Sequence, residues 1–175
     1  MPIDTSLKFV PINIAILTIS DTRTPDTDTS GALLEKRINS AGHNCIEKKI
    51  IPDDVKLIRQ TLQALSNKKE IDCIITSGGT GLTGRDTTPE AVIEIADKTI
   101  EGFGELFRQI SFSKIGTSAI QSRALAALIN TTYVFCLPGS NGACKDGWDE
   151  ILKYQLDIRH RPCNFVEIMP RLSEK

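Results

Sequence analysis

How this chain folds is decided largely by one stretch, Ile74-Ile-Thr-Ser-Gly-Gly-Thr-Gly-Leu-Thr-Gly-Arg-Asp-Thr-Thr-Pro89. The apolar run 71–76 that leads into it is short, β-branched and closed by glycines, which predicts a buried parallel strand. Four glycines follow, and because they carry no Cβ they leave backbone N–H groups open to close approach by a ligand. They are Gly78, Gly79, Gly81 and Gly84.

A helix is predicted to begin directly after this loop. Thr88 can cap it, Pro89 suits the first helical position and Glu90 suits the positive end of the helix dipole. Strand, glycine loop and helix N-terminus in this order form the arrangement that receives an anion in an open α/β sheet.

Two other interpretations of the loop compete with this one. A nucleotide P-loop is rejected, because Arg85 stands where that motif has lysine and Asp86 stands where it has the metal-binding hydroxyl. A purely structural turn stays open. Such a turn does not need Arg85 and Asp86 just before a helix, whereas a phosphate and a hydrated metal would use both.

Length and composition predict one soluble domain. The 175 residues suffice for a single domain, 1–175, with residues 1–11 as an N-terminal arm. The net charge of -1 predicts no broad basic face for nucleic acid. No apolar run approaches membrane-spanning length, and the N-terminus does not have the pattern of a signal peptide. We therefore expect a cytoplasmic protein that binds neither nucleic acid nor membrane.

Cysteine and histidine form no motif that would bind a metal or catalyse a reaction. The five cysteines are widely spaced and odd in number. Cys73 and Cys136 lie inside apolar runs, which predicts small buried side chains. His43 and His160 are far apart, so neither is assigned a catalytic role.

Strands and helices alternate along the chain. Strands are predicted over 12–20, 45–51 and 133–137, the second at an edge because neither of its faces is cleanly apolar. Helices are predicted over 30–41, from Val55 onward and after Gly142. This alternation indicates a three-layer α/β/α domain with a mainly parallel sheet.

Two segments allow more than one interpretation. Gly102 and Gly104 lie among aromatic residues and predict a break followed by a new helix. The aromatic residues there belong either to the core or to an oligomer interface. The run 124–129 has the propensity of a helix, but a strand that pairs with 132–137 through a turn is also possible.

Three loops are expected at the carboxyl edge of the sheet, where open parallel sheets bind ligands. They follow Ser20, Ser77 and Leu137. Asp53 begins a helix after a further strand, and an ordinary N-cap formed by Asp53 or Asp54 is the competing interpretation. For Arg123 the competing interpretation is a solvated charge beside an apolar run.

Several motifs in order over nearly the whole chain resemble the molybdenum cofactor biosynthesis family MoaB/MogA. They are Ile16-Leu-Thr-Ile-Ser-Asp21, Ile51-Pro-Asp53, Thr76-Ser-Gly-Gly-Thr-Gly81, Arg85-Asp-Thr-Thr-Pro-Glu-Ala91, Gln121-Ser-Arg123 and Leu137-Pro-Gly-Ser140. The stretches Ile115-Gly-Thr-Ser118 and Arg161-Pro-Cys-Asn-Phe165 are more similar to the MoaB branch.

The resemblance implies a molybdopterin-binding α/β fold with a small β-hairpin, which favours the strand interpretation of 124–129. It implies transfer of an adenylyl group from ATP, with Mg²⁺, to the terminal phosphate of molybdopterin, with release of pyrophosphate. It also implies a homo-oligomer, a hexamer or otherwise a trimer, and other proteins of the same pathway as possible partners.

Site residues follow from the resemblance by position. Asp53 and Asp86 match the functional aspartates of the family and would position Mg²⁺ or activate the attacking group. Ser122 and Arg123 would contact the pterin or its phosphate. The remaining residues predicted to bind substrate or phosphate are Ser20, Asp21, Ser77, Gly78, Gly79, Thr80, Gly81, Arg85, Thr88, Pro138, Gly139 and Ser140.

A non-catalytic molybdopterin-binding protein of the same pathway is the alternative function. The Arg85-Asp86 motif is intact, which favours the enzyme. An ordinary kinase or dehydrogenase is disfavoured, because the P-loop lysine is absent and no Gly-x-Gly-x-x-Gly follows the first strand.

Overall fold

The computed structural model describes residues 3–174. The strands are β1 (Asn13–Ile19), β2 (Asn44–Ile51), β3 (Cys73–Ser77), β4 (Lys98–Thr99), β5 (Leu125–Ile129) and β6 (Thr132–Leu137). The α-helices are α1 (Thr29–Ser40), α2 (Val55–Ser66), α3 (Thr88–Ile95), α4 (Glu101–Ile115), α5 (Asn141–Asp146), α6 (Lys153–Gln155) and α7 (Phe165–Ile168). A π-helical turn, Gly147–Leu152, joins α5 to α6.

The six strands form one sheet in the order β2-β1-β3-β6-β5-β4. β2, β1, β3 and β6 are parallel, whereas β5 runs antiparallel to both β6 and β4. Side chains alternate between the faces of a strand, so β1 supplies Ile14 and Ile16 to one apolar core and Ala15 and Leu17 to the other. Helices α1 and α4 pack on the first face, and α2 and α3 pack on the second. The predicted three-layer α/β/α fold is confirmed.

Helix caps settle one of the open alternatives. Asp54, not Asp53, caps α2, since its carboxylate accepts a hydrogen bond from the Leu57 N–H at 2.8 Å. Asp53 is thereby free of the ordinary capping role. At α3 the prediction was wrong, because Thr87 precedes the helix and Thr88 is its first residue, with no side-chain cap.

The predicted break and new helix are present, since α3 ends at Ile95 and α4 begins at Glu101. The break lies before Gly102 and Gly104, however, and both glycines are inside α4. Gly104 lies where α4 crosses the sheet, and a Cβ there would sit 2.5 Å from the Ala124 carbonyl oxygen. The glycine thus allows a close helix–strand contact that sequence alone does not reveal. Phe103 and Phe107 are buried, whereas Phe112 is 61 % exposed.

The run 124–129 is a strand, as the resemblance implied. β5 and β6 form a tight hairpin, and Asn130 in its turn has a φ of 55°, a conformation that asparagine tolerates. The two-residue strand β4 on the far side of β5 was not predicted; its brevity leaves no sequence pattern.

The N-terminal arm contacts the C-terminal part of the chain. The Asp4 N–H donates to the Arg159 carbonyl oxygen at 2.8 Å, and Ile3 forms an isolated bridge with His160. Residues 1–2 of the predicted arm lie outside the described residues. Among residues 3–174, no helix is both long and apolar enough to cross a membrane.

Candidate active site

A cleft of about 630 Å³ opens at the carboxyl ends of β1, β3 and β6. These strands are neighbours in the sheet, so the loops that follow them meet along one edge. Eleven predicted site residues line this cleft. They are Ser20, Ser77, Gly78, Gly79, Thr80, Gly81, Asp86, Ser122, Pro138, Gly139 and Ser140.

Glycine is required where the loops after β3 and β6 touch. Gly78 has a φ of 111°, and a Cβ on it would lie 2.2 Å from the Ile19 carbonyl oxygen. A Cβ on Gly139 would lie 3.1 Å from the Cα of Gly78. The backbone of β1 and both loops therefore come together without intervening side chains, which forms the narrow inner wall of the cleft.

At the start of the glycine loop, the N–H groups of Gly79 and Thr80 are available to an anion. That of Gly78 is not, because it donates to the Leu137 carbonyl oxygen at 3.0 Å. Gly78 is thus removed from the predicted set of phosphate donors. Within the described part of the chain, Gly79 and Thr80 have no acceptor for their N–H groups. Thr80 is only 4 % exposed, and a buried unpaired N–H is costly, so a bound anion suits this position.

Asp86 presents its carboxylate to the cleft beside Gly81. Its Oδ2 atom accepts hydrogen bonds from the Thr83 hydroxyl at 2.6 Å and the Thr83 N–H at 2.9 Å. The hydroxyl bond is the main reason that the pKa of Asp86 is lowered from its ordinary value. Asp86 is therefore ionised near neutral pH, as a group that neutralises a cation must be.

Asp53 lies at the other end of the loop, beside Gly79. A Cβ on Gly79 would be 2.8 Å from Asp53 Oδ2, while Asp53 Oδ1 accepts from the Thr87 hydroxyl at 2.9 Å and the Thr87 N–H at 3.2 Å. Burial raises the pKa of Asp53, and the charges of Asp86 and Asp21 add to the rise. Asp53 and Asp86 thus flank one loop, although only Asp86 lines the cleft itself.

Both predicted basic residues are paired with groups of the protein. Arg123 donates from Nε to the Gly81 carbonyl oxygen at 2.7 Å and from Nη2 to that of Asp86 at 2.6 Å, and it pairs with Glu90. Arg85 is exposed and pairs with Asp21 at the rim. Neither arginine lines the cleft. Their predicted contact with phosphate stays a prediction.

The remaining predicted residues, Asp21 and Thr88, also support the loop from outside the cleft. Thr88 donates its hydroxyl to the Gly78 carbonyl oxygen at 3.0 Å, and its N–H bonds to that of Gly79 at 3.0 Å. Asp21 Oδ1 accepts from the Asp53 N–H at 3.3 Å. The start of α3 is therefore tied to the glycine loop by both backbone and side chain.

Sequence reasoning missed several residues that line the cleft. Thr18 lies inside β1, Ser30 opens α1, and Arg23 reaches the rim with its Nη1 bonded to the Thr27 carbonyl oxygen at 2.8 Å. A threonine within an otherwise apolar strand was a signal for Thr18. Arg23 adjoins the predicted Ser20-Asp21 segment, but nothing local indicates that its side chain turns back along the edge.

The donor set fits Mg²⁺. No group of three or more His, Cys, Asp or Glu side chains that could hold a metal occurs among residues 3–174. Mg²⁺ does not need one, because it commonly takes one or two carboxylates together with water and phosphate oxygens of the substrate. An ionised Asp86 beside an anion-receiving loop, with Asp53 at the other end of that loop, meets this requirement.

These features define an α/β domain with an anion-receiving cleft at a parallel sheet edge. Residues 15–158 match a family model described as "Probable molybdopterin binding domain". Molybdenum cofactor biosynthesis protein B of Escherichia coli K12 is 44 % identical over 160 residues, which cover 91 % of this chain and 94 % of the relative. The corresponding protein of Bacillus cereus is 44 % identical over 146 residues, 83 % of this chain and 86 % of the relative.

A crystal structure of a molybdenum cofactor biosynthesis protein B superposes with a TM-score of 0.85 at 40 % identity, covering 95 % of this chain and 98 % of the other. The chain belongs to the MoaB/MogA family of molybdenum cofactor biosynthesis proteins.

Proposed function

We propose that this protein binds molybdopterin in the cleft and transfers an adenylyl group to it from ATP with Mg²⁺. The observation that carries the proposal is the pair of unused N–H groups, Gly79 and Thr80, between two carboxylates at one sheet edge. Family membership supports the substrate. The geometry supports the reaction class, because loop N–H groups between two carboxylates suit a reaction that brings two phosphates together with Mg²⁺.

The reaction is an in-line displacement at phosphorus. An oxygen of the terminal phosphate of molybdopterin attacks the α-phosphorus of ATP, a new P–O bond forms, and the bond to the departing pyrophosphate breaks. No covalent bond to the protein is needed, so the protein contributes positioning and charge neutralisation. In this scheme the N–H groups of Gly79 and Thr80 hold a phosphate.

The acidic residues have separate parts in this proposal. Asp86 would hold Mg²⁺ from inside the cleft, with Asp53 as the second carboxylate; the metal would supply neutralisation of phosphate charge. Asp53 also holds Thr87 through Oδ1, so it positions the start of α3 while its Oδ2 faces Gly79. Arg123 would fix the conformation of the loop through its hydrogen bonds to the carbonyl oxygens of Gly81 and Asp86.

A non-catalytic molybdopterin-binding protein is the second candidate. The observation that favours it is that both carboxylates already accept hydrogen bonds from the protein, Asp86 from Thr83 in its own loop and Asp53 from Thr87 at the end of the glycine loop. Each therefore has fewer oxygen lone pairs available to a metal.

Pyrophosphate release separates the two candidates. Purified protein is mixed with molybdopterin and Mg-ATP, and pyrophosphate is measured over time. We expect release by the native protein and at least about a 100-fold lower rate with Asp86→Asn. Asp54→Asn is the matched control, because Asp54 adjoins Asp53 but only caps α2. Binding of molybdopterin without pyrophosphate release by the native protein would select the second candidate.

We also propose that the protein is a homo-oligomer. A surface that we call the α4 face exposes two large apolar side chains that line one pocket, Phe112 with 61 % and Ile120 with 84 % exposed. Such a patch is more than isolated surface residues require, and a second copy of the chain would bury it.

A further inference from the structure

The base of the cleft carries hydroxyl groups that are joined to one buried carboxylate. Thr18 in β1, Ser30 in α1 and Ser77 in β3 line the cleft, and none is more than 4 % exposed. Asp28 lies behind them and is 2 % exposed. Nothing in the reaction described above uses Asp28.

Asp28 accepts a hydrogen bond at every contact. Its Oδ2 accepts from the Thr18 hydroxyl at 2.8 Å, and its Oδ1 accepts from the Ser30 hydroxyl at 3.2 Å and the Gly31 N–H at 2.9 Å. A carboxylate has no proton to donate in return. The protons of Thr18 and Ser30 therefore point at Asp28, and their lone pairs are left for other partners.

Ser77 continues this order of donors and acceptors. Its hydroxyl donates to Ser30 Oγ at 3.1 Å, where the Ser30 proton is already committed to Asp28. Its other neighbour is the Cys144 thiol, with Oγ and Sγ 3.4 Å apart. All three hydroxyls thus keep their protons within the protein, so toward a ligand in the cleft they can act only through the lone pairs that remain.

We propose that Asp28 is a positioning residue that makes the base of the cleft accept hydrogen bonds from the amino edge of a planar heterocycle. The oxygens of a phosphate are acceptors, so a phosphate does not suit the hydroxyl acceptors at the bottom of the cleft. It suits the N–H donors of the glycine loop instead. Pterin and adenine both carry an exocyclic amino group of the required kind.

This inference rests on the proposed function and adds an orientation to it. The ring lies on Thr18, Ser30 and Ser77, and the phosphate lies at Gly79 and Thr80. Ser77, which is among the residues predicted to bind substrate or phosphate, then contacts the ring.

The test compares ligands in which an exocyclic amino group is replaced by an oxo group, a change that also puts a proton on the neighbouring ring nitrogen. Pterin has an amino group where lumazine has an oxo group, and adenosine has one where inosine has an oxo group. Binding of each to the full chain is measured by calorimetric or fluorescence titration. For the pair that binds at the bottom of the cleft, we expect the ligand with the amino group to bind at least about tenfold more tightly than the ligand with the oxo group. The pair that shows the preference tells whether the pterin or the nucleotide lies there.

Asp28→Asn reverses the direction of the hydrogen bond to the Thr18 hydroxyl with little change in side-chain shape. Asparagine is as good an N-cap as aspartate, so Oδ1 keeps Gly31 and Ser30 while Nδ2 now donates to Thr18 Oγ1. The Thr18 proton then turns to the cleft and suits an oxo group. We expect the amino-to-oxo preference to fall by about fivefold or more. Asp54→Asn makes the same change at the cap of α2 and should leave the preference unaltered.

Thr18→Val gives a second test if Asp28→Asn does not fold, since it removes one acceptor and keeps the shape of the strand residue. It too should lower the preference. Thermal unfolding of each variant records any change in stability, which by itself would not alter a ratio of affinities.

Equal binding of amino and oxo members by the native protein, or no binding of any of them, would overturn the inference. A preference that survives both Asp28→Asn and Thr18→Val would also overturn it. Failure of the proposed function looks different, because the native protein would then release no pyrophosphate from Mg-ATP and molybdopterin, whatever its preference between amino and oxo ligands.

Discussion

Arg123 donates from Nη2 to the carbonyl oxygen of Asp86 at 2.6 Å. Its guanidinium group thus holds the backbone of Asp86, the residue whose carboxylate faces the cleft. A second bond, from Nε to the Gly81 carbonyl oxygen at 2.7 Å, fixes the distance between the two arms of the loop. The planar fork of arginine can make both bonds at once, whereas the single ammonium of lysine cannot.

Arg123→Lys should therefore loosen the loop and lower the rate of pyrophosphate release by about tenfold or more, with the fold retained. The measurement is the steady-state rate with molybdopterin and Mg-ATP. Arg108→Lys is the matched control, because Arg108 likewise donates to a backbone carbonyl, that of Ala124 at 3.1 Å, but away from the loop. Equal rates for the two variants would show that Arg123 does not act through the loop.

Gly79→Ala should damage the phosphate site. Gly79 has a φ of 64°, and a Cβ there would be 2.2 Å from the Thr88 hydroxyl. We expect a loss of stability of about 1–3 kcal/mol and a large loss of molybdopterin affinity. Gly84→Ala, in the same loop, adds a Cβ with no neighbour within 4 Å and should be nearly neutral. Thermal unfolding and binding titrations check both; tight ligand binding by Gly79→Ala would contradict the assignment.

Asp53→Asn should separate stability from activity. Burial raises the pKa of Asp53, and the charges of Asp86 and Asp21 add to the rise, so the ionised carboxylate destabilises the fold. This loss of stability develops as the pH rises from the ordinary pKa of 3.8 through the raised pKa of the folded state. An asparagine can still accept from Thr87. We expect an unfolding temperature at pH 7 that is unchanged or higher, together with a rate at least about 100-fold lower. A destabilised variant with normal activity would assign Asp53 a purely structural part.

Thr83→Val should raise the pKa of Asp86, because it removes the hydroxyl bond that chiefly lowers that pKa. In the native protein this bond stabilises the fold fully above pH 3.8, and its contribution is lost as the pH falls through the lowered folded value. NMR titration of the Asp86 carboxyl carbon measures the shift, and the acid limb of the rate profile should move upward with it. Thr117→Val, an exposed threonine elsewhere, is the control; an unmoved Asp86 titration would refute the assignment.

Phe112→Glu should weaken or abolish oligomers, because it places a charge in the α4 face. Light scattering coupled to size-exclusion chromatography measures the mass of each species. Ile168→Glu, at an apolar residue 44 % exposed outside that face, should leave the mass unchanged. A native protein that elutes as a monomer, or a Phe112→Glu variant with native mass, would rule out an interface through the α4 face.

The local chemistry of the loop was readable before any coordinates. A β-branched run followed by glycines specifies a strand and a close backbone approach, and Gly78 and Gly79 do adopt positive φ angles. The helix α2 was predictable for the same kind of reason, since its apolar residues recur at helical spacing. Where the local signal was ambiguous, as over 124–129, pairing with β6 decided the outcome.

Other features arise only when distant segments meet. Gly104 lies inside α4 and not at the break before it, because the glycine allows close contact with the Ala124 backbone. Ala124 is twenty residues further along the chain, so no local pattern records this contact. Asp28 caps α1, and its link through Ser30 to Ser77 exists only because β1, α1 and β3 converge at one edge.

The sequence by itself determined the element types, the open α/β class and the loop that can receive an anion, because these depend on side-chain periodicity and on glycine's missing Cβ. The tertiary structure decided which N–H groups stay free, which arginine supports rather than contacts the cleft, and which way the buried hydroxyls point. Those properties depend on hydrogen bonds between residues far apart in the chain, and such bonds have geometry only once the sheet has formed.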